Sequence, residues 1–187
     1  QEKIADEARI LLETDPGSSL ARRILIDHTV AGESPLSALA EIDRAIEAEP
    51  DAFELYSMKL QLLVQAEDVE QAGALLQTMF DRFPENEEVR AGLVGWYLAQ
   101  GDTAGAETIL RRLAGEPDAS PEGHLAVVQL LQAARGTDAA RAELEQLVAA
   151  NTGTPNAELY RALIAGLDFE AGNQAPALAE MEALVAA

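Results

Sequence analysis

The sequence predicts an all-α chain of stacked helical hairpins, about five of them after one leading helix. Three observations carry this. Alanines fall at Ala38, Ala72, Ala106 and Ala140, each 34 residues after the last. Prolines punctuate the same period at Pro16, Pro50, Pro84, Pro117 and Pro155. Between them, apolar residues recur with helical spacing and do not alternate as a strand would. A fixed period in this range marks repeats that bury their apolar faces only by stacking on neighbours.

The first helix spans residues 2–13, with Ile4, Ala8, Ile10, Leu11 and Leu12 as its apolar face. Asp15-Pro16-Gly17 stops it, because a residue before proline is pushed out of the α region. This half-repeat (residues 1–16) reads as the second helix of a hairpin. The first full hairpin (18–50) starts at a Ser18 or Ser19 cap. Leu20, Ile24, Leu25 and Ile26 line its first helix, and Gly32 breaks it. Ser34-Pro35 opens the partner helix, where the missing N–H of proline costs nothing. Leu36, Leu39, Ile42, Ala45 and Ile46 form the facing stripe.

The second hairpin (51–84) is expected to be capped by Asp51. It pairs Phe53, Tyr56, Leu60 and Leu63 with Val69, Ala72, Leu75, Leu76, Met79 and Phe80. The third (85–117) pairs Val89, Leu93, Val94 and Tyr97 with Ala106, Ile109, Leu110 and Leu113 across Gly101-Asp102. The fourth (118–154) has Ser120 as cap and Pro121 after it. It sets Leu125, Val128 and Leu131 against Ala140, Leu144, Leu147 and Val148. The longer connection 151–155 then stretches the period. The last hairpin (155–187) uses Leu159, Leu163, Ile164 and Leu167, then Leu178, Met181, Leu184 and Val185, around Gly172-Asn173. No long flexible linker interrupts the chain, so the sequence reads as one domain.

Composition narrows the functions. The net charge is −20, from 33 acids and 13 bases, and acids exceed bases along the whole chain. With no basic stripe, binding to a phosphate backbone or an anionic bilayer is disfavoured. There is no cysteine, which removes disulfides and thiolate metal sites but leaves the redox compartment open. No apolar run reaches membrane-spanning length, and no charged segment followed by an apolar one marks a signal peptide. Cytoplasm and periplasm both fit. Beginning at Gln1 rather than Met, the chain reads as a piece of a longer protein. Arg outnumbers Lys 11 to 2 and Ala is abundant, which hints at a GC-rich bacterial source.

In residues 87–117, Leu93, Tyr97, Gly101-Asp102, Ala106, Leu110 and Glu116-Pro117 stand at the spacing of the tetratricopeptide repeat. Residues 53–84 follow through Tyr56, Asp68, Ala72, Leu76 and Pro84. The chain thus resembles that family over nearly its whole length, least in 157–187. It departs in carrying Ile26, Leu60, Val94 and Val128 where the family prefers a small residue, and in lacking an early tryptophan. The resemblance implies a right-handed α-α superhelix whose first helices line a concave, partner-binding groove. By register the groove residues would be Arg23, Asp27, Glu54, Ser57, Gln61, Val64, Glu88, Ala91, Leu98, Glu122, Leu125, Gln129 and Gln132, with Gly95 among them. One subset of the family clamps a C-terminal carboxylate with basic and amide groups. Glu, Gln, Ala and Gly occupy those places here, so that clamp is not expected.

Nothing in the residues points to chemistry. His28 and His124 stand far apart, outside any metal-ligand spacing. Carboxylate pairs such as Glu87-Glu88 sit in helix first turns, where they complement the dipole. No nucleophile elbow or phosphate loop appears. No cofactor is expected. Trp96-Tyr97 reads either as packing between hairpins or as a partner anchor. The expected function is a non-catalytic scaffold that binds a protein or peptide of basic or amphipathic character. The alternatives are an arm of a larger enzyme, or a module that self-associates through its terminal helices.

Overall fold

The computed structural model describes residues 2–15, 18–32 and 35–186; of residues 2, 19, 27, 29–32 and 35–37 only the backbone is described. Pro16-Gly17 and Ser34, to which the sequence assigned a helix stop and a helix start, lie outside the described residues. Among the described residues there are eleven α-helices and no strand. The chain forms two compact units, which meet between Leu93 and Val94.

The first unit holds α1 (Glu2–Thr14), α2 (Ser19–Gly32), α3 (Pro35–Ala48), α4 (Phe53–Gln65), α5 (Val69–Arg82) and the start of α6 (Glu87–Ala99). From α1 to α5 each helix packs on the next. The second unit holds the rest of α6, then α7 (Thr103–Ala114), α8 (Pro121–Arg135), α9 (Thr137–Ala150), α10 (Pro155–Glu170) and α11 (Gln174–Ala186). From α7 to α11 the same neighbour-on-neighbour packing holds. This is the all-helical repeat arrangement expected from the 34-residue period.

The alanine ladder lies inside: Ala38, Ala72, Ala106 and Ala140 are all buried. A methyl side chain there lets neighbouring helices approach closely. Gly105 shows how little room remains beside the ladder, since a Cβ on it would sit 2.4 Å from the Tyr97 ring. Gly123 is similarly pressed, with a Cβ position 2.7 Å from the Ala114 backbone.

Helix starts follow the period too. Asp68 accepts from the Gln71 N–H at 3.0 Å and Asp102 from the Gly105 N–H at 2.8 Å. These caps satisfy orphan donors of α5 and α7. The same place in the next repeat is Gly136, and α9 starts without a side-chain cap. Ser18, Asn86 and Thr154 accept from Ala21, Val89 and Ala157. Two expected caps differ. Asp51 does not cap α4, which begins after Ala52, and its carboxylate takes a hydrogen bond from Arg82 instead. Ser120 stands at the start of α8 but makes no side-chain capping bond.

The inter-repeat prolines hold the loops through their carbonyls. The Pro50 oxygen accepts from Tyr56 Oη at 2.9 Å and from Arg82 at 2.8 Å. The Pro84 oxygen accepts from Arg90 Nε, and the Pro117 oxygen from Asn151 Nδ2 at 2.8 Å. Each donor comes from the repeat that follows.

The outermost helices bury less than their sequences suggest. In α1 the buried residues are Ala5 and Ala8, while Ile4, Ile10 and Leu11 are exposed, Ile10 by 61%. In α11 only Ala177 is buried, and Val185 is 90% exposed. Each of these helices has one neighbour in its unit, so only one of its faces is covered.

Two predictions follow from this packing. Ala106→Leu overpacks a fully buried site and should cost roughly 1–3 kcal/mol, read as a lower melting temperature. An unchanged melting curve would put Ala106 outside the tight contact. Tyr160 should behave the opposite way. It is fully buried among Val128, Ala140, Leu144 and Leu147, and its hydroxyl has no hydrogen-bond partner. Burial, and next the charge of Glu122, push its pKa up. The neutral phenol therefore favours the folded state below pH ~10, and that contribution is lost as pH rises through the raised value. Tyr160→Phe removes an unsatisfied polar atom and should stabilise the fold by about 1 kcal/mol. It should also flatten the alkaline loss of stability. Chemical denaturation at pH 7 and in the alkaline range checks both, and a clear destabilisation at pH 7 would contradict the orphaned hydroxyl.

Candidate functional site

The first helices of the hairpins have clefts beside them. Their apolar stripes face the second helices, so the residues one position off the stripe are left outward. In the first unit this builds two clefts, one on each side of α4.

Between α2 and α4 lies a cleft of about 520 Å³. Leu20, Leu55 and Met58 supply its apolar wall, and Arg22, Arg23, Glu49 and Glu54 its charges. Arg22 is tied to Glu49 at 2.5 Å. Between α4 and the first turns of α6 lies a second cleft, of about 360 Å³. Phe53, Leu60, Val64, Leu76, Met79 and Val89 make it apolar, and Gly92 keeps it open on the α6 side. Ser57, Gln61 and Glu88 are its polar residues, and Glu88 is the charged one. The nearby cation, Arg90, is committed to the Pro84 carbonyl and to Glu85.

In the second unit, a cleft of about 210 Å³ lies between α8 and α10. Its walls are Leu125, Val128, Leu144, Leu163 and Leu167, with Gln129 and Gln132 as its polar residues. A larger hollow, of about 420 Å³, lies against α7, α9 and the start of α8. Its charges satisfy one another. Arg111 donates to both carboxylate oxygens of buried Glu143 at 2.8 Å, and to Glu107 at 2.9 Å. Hydrogen bonding to Glu143 pushes the Arg111 pKa up further still. His124 lies there too, its Nε2 2.9 Å from the Glu116 carbonyl oxygen to which it donates. Ion pairs between neighbouring repeats line that hollow.

The residues assigned to a groove fall as follows. Arg23 and Glu54 line the α2/α4 cleft; Ser57, Gln61, Val64 and Glu88 line the α4/α6 cleft; Leu125, Gln129 and Gln132 line the α8/α10 cleft. Ala91, Leu98 and Glu122 are exposed but line none of these. The side chain of Asp27 lies outside the described residues. The sequence reads Leu163 and Leu167 as core; Leu167 does pack against the core cluster and also walls the cleft, whereas Leu163 is exposed at it. The long 151–155 connection shifts the period, so α10 could not be aligned with the earlier first helices. Trp96 is half-buried and stacks edge-on against Tyr97, with ring centroids 5.1 Å apart.

Charge is unevenly committed. Arg44, Arg82, Arg111, Arg135, Arg141 and Arg161 are all tied to acids of the chain. Glu54, Glu88 and Glu122, on first helices, make no hydrogen bond or ion pair among the described residues. Among those residues no group of three or more His, Asp or Glu side chains is placed to hold a metal. No helix is long and apolar enough to cross a membrane.

Helices packed neighbour on neighbour, with clefts between first helices, define an α-helical repeat protein. Residues 63–130 match the family model of the tetratricopeptide repeat. No curated protein matches the chain. Among solved structures, a chain in the complex of Naa15/Naa10 bound to HypK-THB aligns with a TM-score of 0.57 at 14% identity. That alignment covers 95% of this chain and 28% of the other, and supports the fold. A tetratricopeptide repeat protein from Parabacteroides merdae aligns over 97% of this chain and 71% of its own, at 16% identity and a TM-score of 0.48. YrrB, described as a TPR protein with an unusual peptide-binding site, aligns over 97% and 92%, with the same identity and TM-score.

Proposed function

We propose that the chain is a non-catalytic scaffold that docks a basic, amphipathic segment of a partner protein on the faces of its first helices. One observation carries the reading. The α4/α6 cleft joins an apolar floor to a carboxylate, Glu88, that no cation among the described residues pairs with. Apolar side chains of a partner gain by leaving water in such a cleft. A lysine or arginine beside them meets an unpaired acid. Glu54 and Glu122 extend that preference, and the net charge of −20 extends it to longer range. Such a surface speeds encounter with cations, and salt weakens the effect over a Debye length of about 8 Å at physiological ionic strength. A peptide ending in a carboxylate, or a nucleic acid, meets the opposite field.

A second reading, self-association, is favoured by the bare apolar residues of α1 and α11, Ile10 and Val185 above all. A second copy covering either face would remove a patch that monomers seldom expose. Sedimentation velocity over a wide concentration range decides it: a concentration-dependent species supports pairing, and a strict monomer rejects it.

The docking reading predicts a specific kinetic effect. With an 18-residue synthetic helix of leucines and lysines as probe, Glu88→Lys with Glu122→Lys should lower the association rate several-fold and flatten its salt dependence. Both residues are exposed, so folding should change by less than about 0.5 kcal/mol. The control reverses Glu70 and Glu182, exposed acids on the second helices α5 and α11. Equal losses in the two double variants would mean that overall charge, and not the first-helix faces, attracts the probe.

A further inference from the structure

We propose that the hollow against α7, α8 and α9 binds a neutral, largely apolar small molecule through one N–H or O–H donor, which His124 Nδ1 accepts. Indole and phenol are the simplest members of that class. The site lies against the second helices α7 and α9, away from the clefts beside α4, and does not depend on the docking reading.

The acceptor is set by a neighbour. His124 is only 7% exposed and lines the hollow. Its Nε2 lies 2.9 Å from the Glu116 carbonyl oxygen. A carbonyl oxygen only accepts, so Nε2 carries the proton and Nδ1 of the neutral ring keeps a bare lone pair. Nδ1 has no partner among the described residues. The fully enclosed side-chain atoms without a partner are Asn151 Oδ1 and Tyr160 Oη, so Nδ1 stays within reach of the hollow. An acceptor left unpaired in a nearly buried ring is costly, and a donor entering the hollow removes that cost.

The rest of the lining says what the donor is attached to. Ala114, Pro117, Val127 and Leu147 make the wall apolar. The charges are Arg111 and Glu143, and each holds the other at 2.8 Å. A ligand anion would lie near buried Glu143 and a ligand cation near Arg111, so a charged ligand leaves water without a free counter-charge. The volume of about 420 Å³ falls within the roughly 300–1,000 Å³ of small-molecule sites. Gln146, one turn from Glu143 on α9, is exposed at the rim and makes no hydrogen bond among the described residues. Its amide can meet a second polar group of a larger ligand.

The test is titration of the isotope-labelled full chain with indole and, in parallel, with N-methylindole, which keeps the ring but lacks the N–H. Long-range nitrogen–proton spectra separate the imidazoles, because the chain has only His28 and His124. In the free chain His124 should show a protonated Nε2 and a bare Nδ1. Indole should move the Nδ1 resonance of His124, leave His28 in place, shift the methyl signals of Val127 and Leu147, and raise the melting temperature. N-methylindole should bind about tenfold more weakly, since it leaves Nδ1 unpaired. Ala150→Trp, at an exposed position of the lining, keeps the fold and fills the hollow without touching His124, so it should weaken indole binding several-fold. Equal affinity for the two indoles would overturn the inference. So would a proton on Nδ1 in the free chain, an Nδ1 resonance that indole does not move, indole binding untouched by Ala150→Trp, or shifts confined to Leu60 and Val64 of the α4/α6 cleft. No binding up to the solubility limit of indole would overturn it as well, and would leave docking on the first helices as it stands.

Discussion

Everything in this chain depends on one constraint: a two-helix hairpin has too little interior to bury its own apolar stripe. The stripe must be covered by the next hairpin, and the covering works only if helices approach closely. Ala38, Ala72, Ala106 and Ala140 meet that need inside the fold, and Gly105 and Gly123 press still closer to their neighbours. The clefts are a by-product of the same geometry. Tight packing along the alanine side leaves the outward sides of first helices diverging, and the space between them is walled by residues that adjoin the core.

Polar groups follow the same neighbour rule. Arg111 reaches Glu143 in the following repeat and holds a carboxylate that is otherwise cut off from water. A buried acid deprived of its only partner is far more costly than an exposed one. Arg22 and Glu49, and Arg141 and Asp168, join other pairs of elements in this way. Several arginines are spent on these internal ties, and Glu54, Glu88 and Glu122 of the first helices make no ion pair among the described residues. The charge of the first-helix faces is thus set as much by where the cations went as by where the acids are.

Periodicity made the fold legible. The alanine ladder falls on the second helices α3, α5, α7 and α9, whereas the sequence marks Asp68 and Asp102 only as family positions, and their capping comes from the structure. What periodicity could not convey was coverage. Ile4, Ile10 and Leu11 have the same pattern as residues of an inner helix, yet with one neighbour they remain in water. The site was legible in part. A strict 34-residue register brought Ser57, Gln61 and Glu88 onto one cleft and Gln129 and Gln132 onto another. The exposure of Leu163 at the cleft escaped because an irregular loop resets the count before α10, and a leucine at a cleft looks the same in sequence as one in a core, such as Leu167, which is partly both.

The proline carbonyls carry a consequence for how such a chain grows. The oxygen of Pro50 is held by Tyr56 and Arg82, and that of Pro117 by Asn151. Each loop thus borrows its donors from downstream, like a clasp whose hook is sewn on the adjoining piece. Inserting or losing a whole 34-residue unit leaves every clasp with a hook. Any other length change strands a loop carbonyl without its donor. At 151–155 the local contacts of Asn151 and Thr154 sustain an irregular turn instead.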